Sequence, residues 1–511
     1  MGDSVSPEFR NERLVFVPEA VATDPRFFRP KHVAAALAFA ALPFLVPSGI
    51  AIAQGPPGGG SVSVPAGPIQ IPQPPVDSTT YQSSVSDGKV TPGVLQLSLD
   101  DAVQRGLRFN LGLMLTSQNT QSARGARLEE LQALLPTASA AIKEAVQETD
   151  LQAEGLRIPG FPSIIGPYGY TDIRGSLSWS LVNLSSLENY LAQKHNFEAA
   201  KLSAQDARDL VVLTVGNAYL TVIADAALVQ SAQAQVDTSK VSLDQAVGNH
   251  QAGTAPLIDE LRARVDYQTQ EQTLIADRNT YEKDKIALAR AIGLPLEQQF
   301  ELSDKEPYAP FDHVDPDKAV QQALATRADL KALEEQVAAA DSARKAATDE
   351  RLPTVTFNGD YGDIGINPSH SHGTGNAVGS LDVPLFEEAK LRGDAKQAQS
   401  QLEQERARLS DLRGQIGADV RDSILDIQAA EKLVEVAKSN VDLANEALNE
   451  AQQRYKAGVS DNLAVSQAQQ SVAQADQQYV ASLYRHNVAK LSLARALGVA
   501  QSSYKDYVGG K

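Results

Sequence analysis

Residues 185–252 and 387–457 contain no proline and little glycine. Each run is long enough for one helix of about 100 Å at ~1.5 Å per residue. In the second run Leu433, Ala437, Val441, Ala444, Leu448, Ala451 and Tyr455 step by threes and fours. That spacing lines up one apolar stripe, as in a coiled coil, and its alanines allow close approach. Each run ends at a glycine, Gly253 or Gly458, and helical periodicity resumes a few residues later. Two very long helical hairpins with tight tips are expected.

The two hairpins are copies. Gly458 follows Gly253 by 205 residues, and Leu288-Ala-Arg-Ala-Ile-Gly293 returns as Leu493-Ala-Arg-Ala-Leu-Gly498 at the same offset. Upstream, Ala102-Val-Gln104 matches Ala319-Val-Gln321 and Leu135-Pro136 matches Leu352-Pro353, both 217 residues apart. Gly175-Ser-Leu177 matches Gly379-Ser-Leu381 at 204. The shorter offset places about a dozen extra residues in the first copy's strand hairpin. Each copy reads helix, strand, strand, long helix, helix.

The strands follow the Leu-Pro junctions. Ile173, Gly175, Leu177, Trp179 and Leu181 share one parity, while Arg174, Ser176, Ser178 and Ser180 share the other. In the second copy Val355, Phe357 and Tyr361 alternate with Thr356, Asn358 and Asp360, and Leu381, Val383 and Leu385 alternate with Ser380 and Asp382. One apolar and one polar face suit a strand between lipid and a wet lumen. Ile173, Leu177, Trp179, Val355, Phe357, Leu381 and Val383 are the candidate lipid-facing positions. Four strands per chain cannot close a membrane barrel, because open edges are not tolerated in lipid and known barrels start at about eight strands. Several chains must therefore pool their strands.

Aromatics are only 5% of residues, poor material for compact cores, and the net charge of -17 argues against a nucleic-acid partner. The absence of cysteine removes disulfides, thiolate metal sites and thiol nucleophiles. Lys31-His32, an apolar run from 33 to 46 and Ala51-Ile-Ala53 form a signal-peptide pattern. No later stretch is expected to reach the ~18 apolar residues of a membrane helix. The chain thus divides into a signal peptide with an extended n-region (1–53), a disordered Pro/Gly-rich arm (54–96), a first repeat (97–293), an irregular equatorial linker (294–316), a second repeat (317–499) and a C-terminal tail (500–511).

From residue 97 to 499 the sequence resembles the TolC-like outer-membrane efflux protein family. The likeness rests on the duplicated order, the Leu-Pro junctions, the Tyr455-Lys-Ala-Gly458 tip and the Leu-Ala-Arg-Ala-Leu-Gly498 ending. It implies an α+β membrane protein, a homotrimer whose twelve-stranded β-barrel continues as an α-helical coiled-coil tunnel. It also implies outer-membrane lipid, a periplasmic adaptor protein and an inner-membrane pump as partners, with no cofactor. The adaptor-docking tips would be Gly253, Thr254, Ala255, Pro256 and Leu257, with Gly458, Val459, Ser460, Asp461 and Leu463. At the periplasmic entrance, Asp259 matches an acidic position of the family and Tyr455 a linking tyrosine. The second copy departs from the pattern: Ser460 stands for an arginine, and Ala464 and Gln467 stand for acids.

Other motifs have plainer readings. His370 and His372 lie on a polar hairpin with no third ligand nearby. Gly373-Thr-Gly375 lacks the third glycine and the helix of a nucleotide loop. Asp100-Asp101 and Glu387-Glu388 suit helix starts, and no catalytic constellation occurs. The alternative to an exit duct for small molecules or proteins is a soluble periplasmic coiled-coil scaffold or adaptor.

Overall fold

A computed structural model describes residues 81–86, 90, 92–304, 308, 310–311, 314–460 and 462–508. The signal-peptide reading, the arm up to residue 80 and Asp461 lie outside the described residues.

The first repeat contains α1 (Leu99–Phe109), α2 (Leu111–Gln132), β2 (Thr137–Asp150), β3 (Ile164–Val182), α3 (Leu184–Gln251) and α4 (Leu257–Ala291). The second contains α5 (Pro316–Thr326), α6 (Ala328–Asp349), β5 (Thr354–Gly365), β6 (Ser371–Asp382), α7 (Glu388–Lys456) and α8 (Asn462–Ala496). Ser98 opens α1 with a capping box, its hydroxyl taking the Asp101 N–H while Asp101 reaches back. Asn110 interrupts the α1–α2 path with extended backbone and caps α2 through Leu113 N–H. Arg327 makes the matching break between α5 and α6.

Four strands form one antiparallel sheet in the order β2-β3-β5-β6. Leu177 pairs with Ala138 on one side and Gly359 on the other, and Phe357 pairs with Gly379. The first hairpin is taller, because β3 pairs with β5 only from Thr171 onward while β2 follows it to Ile164.

The helices meet in two apolar clusters. One gathers Val103, Val211, Val215, Tyr219, Leu288 and Leu491; the other gathers Leu330, Ile416, Val420, Ile424 and Leu493. Gly216 lets α3 and α8 touch, since a Cβ there would lie 2.4 Å from the Leu491 side chain. Between the clusters, buried Arg327 holds Asp329 at 2.6 Å and Asp419 at 3.0 Å, and Arg495 holds Asp206 at 2.7 Å.

Several expectations are corrected. At the end of the expected disordered arm, residues 95 and 96 join Leu97 in β1 (Leu95–Leu97), parallel to β4 (Phe300–Leu302) inside the expected irregular linker. Three residues are too few to show a period, so only the pairing defines them. The expected C-terminal tail contains α9 (Ala500–Val508), held by Tyr504 and Lys505 against Asp100. α3 does contain a window apolar enough to cross a membrane, but 67% of it is buried inside the fold. It is a core segment of a long helix.

Candidate functional site

Two regions carry the expected positions: the hairpin tips and the sheet. At the tips, Gly253 and Gly458 have φ of 73° and 70°. The Thr254 N–H donates to the Asn249 carbonyl at 2.9 Å and Gly253 N–H to His250 at 2.9 Å; Val459 and Gly458 do the same to Arg454 and Tyr455, both at 3.0 Å. This is the Schellman closure, in which a left-handed residue returns two N–H groups to the last turn. A side chain at either glycine would meet nothing within 4 Å, so the requirement is the left-handed backbone and not space. Pro256 then starts α4, where its missing N–H costs nothing.

Thr254, Pro256, Leu257, Val459 and Leu463 are exposed, with Ala255, Ser460 and Ala464 half-buried and Gln467 exposed. Ile258, absent from the expected tip set, is exposed beside Leu257. It was missed because alternate turn residues, not its neighbours, match the second tip. The tips are tied together within the chain: the Asn249 amide donates to the Tyr455 hydroxyl at 3.5 Å, and buried Asn462 donates to the Asp259 carbonyl at 3.5 Å.

Asp259 departs from the expectation of a pore-facing acid. It is 5% exposed and its carboxylate lies 3.8 Å from Arg262. Its place on α4 falls on the buried side with Ala263, so one chain already covers it. Tyr455 is likewise buried, with its hydroxyl engaged.

The sheet has two chemically distinct faces. The register puts Ile173, Leu177, Trp179, Phe357, Tyr361 and Leu381 on one face, together with Ile142 and Val146 of β2. Apart from half-buried Phe357, these are exposed, Ile142 by 78%. Ile142 and Val146 were not among the expected lipid-facing positions, because alanines and Glu144 dilute their alternation. Trp179 donates its indole N–H to the Leu134 carbonyl at 3.2 Å, at the helix-to-strand junction. Val355 is half-buried at the base of β5. Val383 falls one residue past β6, where Pro384 removes the next ladder donor.

The other face is polar and cross-linked. Arg174 reaches Asp172 at 3.3 Å, Thr374 at 3.0 Å and Asp360. Ser139 and Ser176 hydroxyls meet at 2.8 Å, and Gln147 donates to the Tyr168 hydroxyl at 2.6 Å. His372, Gly373 and Gly375 belong to β6 rather than to a loop; His370 ends a short 3-10 turn and contacts Asn367.

The family model for outer membrane efflux proteins matches residues 167–294 and 319–499, well over half of the chain. The toluene efflux pump outer membrane protein TtgF of Pseudomonas putida is 24% identical over 417 residues, spanning 78% of this chain and 82% of TtgF. The CmeC outer membrane channel of Campylobacter jejuni superposes with a TM-score of 0.71 at 16% identity, covering 85% of this chain and 95% of CmeC. The outer membrane protein VceC of Vibrio cholerae gives 0.70 at 19% identity, covering 78% and 96%. These two structures share the fold.

Proposed function

The chain belongs to the outer membrane efflux protein family, and from that premise we propose how it works as an outer-membrane exit duct. It resides in the outer membrane of a Gram-negative bacterium and serves a tripartite efflux or secretion system. The family consists of channel proteins rather than enzymes.

The observation that carries the mechanism is the sheet: four antiparallel strands, two unpaired outer edges, an apolar exposed face and a cross-linked polar face. In lipid, unpaired edges must be closed. Three copies supply twelve strands, with the Leu177 face toward lipid and the Arg174 face toward a water-filled lumen. The long helices continue this lumen through the periplasm. In our reading the two repeats span 97–293 and 317–499, joined by the linker 294–316.

The tips form the docking end for an adaptor protein that joins the duct to an inner-membrane pump. Leu257, Ile258, Val459 and Leu463 offer exposed apolar knobs there, flanked by the rigid glycine turns. Tyr455, Asp259, Ala464 and Gln467 stand at the periplasmic entrance, where Tyr455 holds one hairpin to the other by packing and by its contact with Asn249. Cargo passes without chemistry on the protein.

Leu257→Asp and Leu463→Asp test the docking reading. Export by cells should be lost while the protein still fractionates as outer-membrane trimers. Retained export would remove the docking role, and loss of trimers would make these residues structural.

A further inference from the structure

Where α3, α4 and α8 meet, two carboxyls face each other with no base to balance them. Asp225 of α3 is only 4% exposed. Asp284 of α4 sets its carboxyl within hydrogen-bond reach of it, and Asp277, seven residues earlier on α4, adds negative charge from farther off. The hairpin geometry explains the meeting. Asp225 lies 28 residues before Gly253 and Asp284 lies 31 residues after it. Two antiparallel helices joined at that glycine therefore bring them to one height. Tyr484 of α8, 26 residues after Gly458, reaches the same level, about 40–46 Å above the tips at ~1.5 Å per residue.

Burying a carboxylate is costly unless it is paired, and a second one beside it adds repulsion. Asp225 Oδ2 is enclosed and has no hydrogen-bond partner. The basic side chains of the same stretch of α4 are engaged elsewhere. Arg278 donates to Gln233 at 2.8 Å, and Lys285 lies 3.7 Å from Glu282 and over the Tyr281 and Phe300 rings. What does surround the pair is neutral oxygen. Tyr484 is 3% exposed, and its hydroxyl meets the Thr221 hydroxyl at 3.3 Å. Burial pushes the Tyr484 hydroxyl up, and the Asp225 and Asp284 carboxyls push it further, so both carboxyls act directly on it. Thr221 stands one turn before Asp225 on the same side of α3. Among the described residues no three acidic, histidine or cysteine side chains cluster as a metal site. Two carboxyls and two hydroxyls are what this junction offers, and an all-oxygen set favours a hard cation.

We propose that the Asp225–Asp284 pair binds a calcium ion that joins α3 to α4, with the Thr221 and Tyr484 hydroxyls and water completing its oxygen shell. Calcium suits an irregular site, because it accepts about six to eight oxygens in flexible geometry, whereas magnesium demands a near-octahedral shell and gives up water reluctantly. The ion neutralises both carboxylates and braces the first hairpin against α8 midway along its length. This goes beyond the exit-duct reading and does not depend on its cargo or partners.

The full-length protein in detergent is stripped of metal with EDTA and dialysed at alkaline pH against radioactive calcium. Wild type should retain one calcium per chain. Asp225→Asn and Asp284→Asn should each bind about tenfold or more weakly, since ligand charge sets calcium affinity. The chain carries a net charge of -17, so surface acids also gather calcium. Glu403→Gln, which removes an exposed acid of α7, should bind as wild type does. Undiminished binding by either Asp→Asn variant, or an equal loss in Glu403→Gln, would overturn the site. So would a wild type that binds no calcium yet melts lower as pH rises, because the pair then holds a proton and no metal. Melting curves without calcium show that each variant is folded; if Asp225→Asn does not fold, Asp284→Asn decides. None of these outcomes bears on the duct reading.

Discussion

Replacing Leu177 by arginine tests the lipid-facing surface where the structure makes the cost largest. Leu177 is 38% exposed and stands between Ala138 and Gly359, neighbours too small to shelter a long side chain. Toward the far end of β3 the apolar face continues four residues to Ile173, which pairs with Asp363. Four residues rise about 13 Å along a strand, or about 10 Å along the membrane normal at ~40° tilt. Toward the helices the face continues to Trp179, which pairs with Phe357, and beyond β6 Leu385 and Phe386 are exposed, the last by 98%. Leu177 thus lies within an apolar face that runs from Trp179 past Ile173 to Val146, which pairs with Gly169. A guanidinium on this face costs up to about 2–4 kcal/mol per chain near the midplane. That is roughly two orders of magnitude in the folded-to-unfolded ratio. Ser176→Arg places the same group on the opposite face, beside Arg174 and Asp360. It gives up the Ser139 contact, worth about 1 kcal/mol. The protein is folded into lipid vesicles and titrated with urea, and unfolding is followed by the fluorescence of Trp179, the single tryptophan. Equal losses for the two arginine variants would refute the assignment of faces.

At the entrance, Asp259 is covered and positions 464 and 467 carry no acid, so divalent cations should block conductance weakly. Gln467→Glu, at an exposed position, should strengthen block by divalent cations in planar-bilayer recordings; unchanged block would place residue 467 away from the pore. In the tunnel wall, Asp225 is buried on α3 and its carboxyl is pushed up to about 8, first by burial and then by the Asp284 carboxyl beside it. A raised folded pKa favours the protonated form. Its stabilising contribution is complete below the ordinary carboxylate pKa of about 4 and is lost as pH rises through about 8. Stability in detergent should therefore fall between about pH 5 and pH 9 by an amount on the order of a few kcal/mol, read as a falling melting temperature, and Asp225→Asn should flatten that fall. An identical slope in the variant would remove Asp225 as its source.

The sequence by itself determined what depends on neighbours a few residues apart. The long helices are legible because no proline interrupts them and their apolar stripes recur at helical spacing. The tips are legible because a left-handed turn needs glycine, and the Leu-Pro junctions because proline cannot continue a helix. Duplication made each weak signal count twice, and β3 alternated clearly enough to show its two faces. Short or diluted elements escaped: β1 and β4 exist only through their pairing, and Ile142 and Val146 sit among alanines. Tertiary structure alone decided which side of a given helix remains free. Asp259 is covered because its turn of α4 faces the packed hairpin, while its neighbours Leu257 and Ile258 stay exposed at the tip. It alone brought Asp225 to Asp284 and Arg327 to Asp419 across long stretches of sequence. Burial and charge pairing depend on which surfaces meet in space, and the period of a helix records that some face is apolar without saying what will cover it.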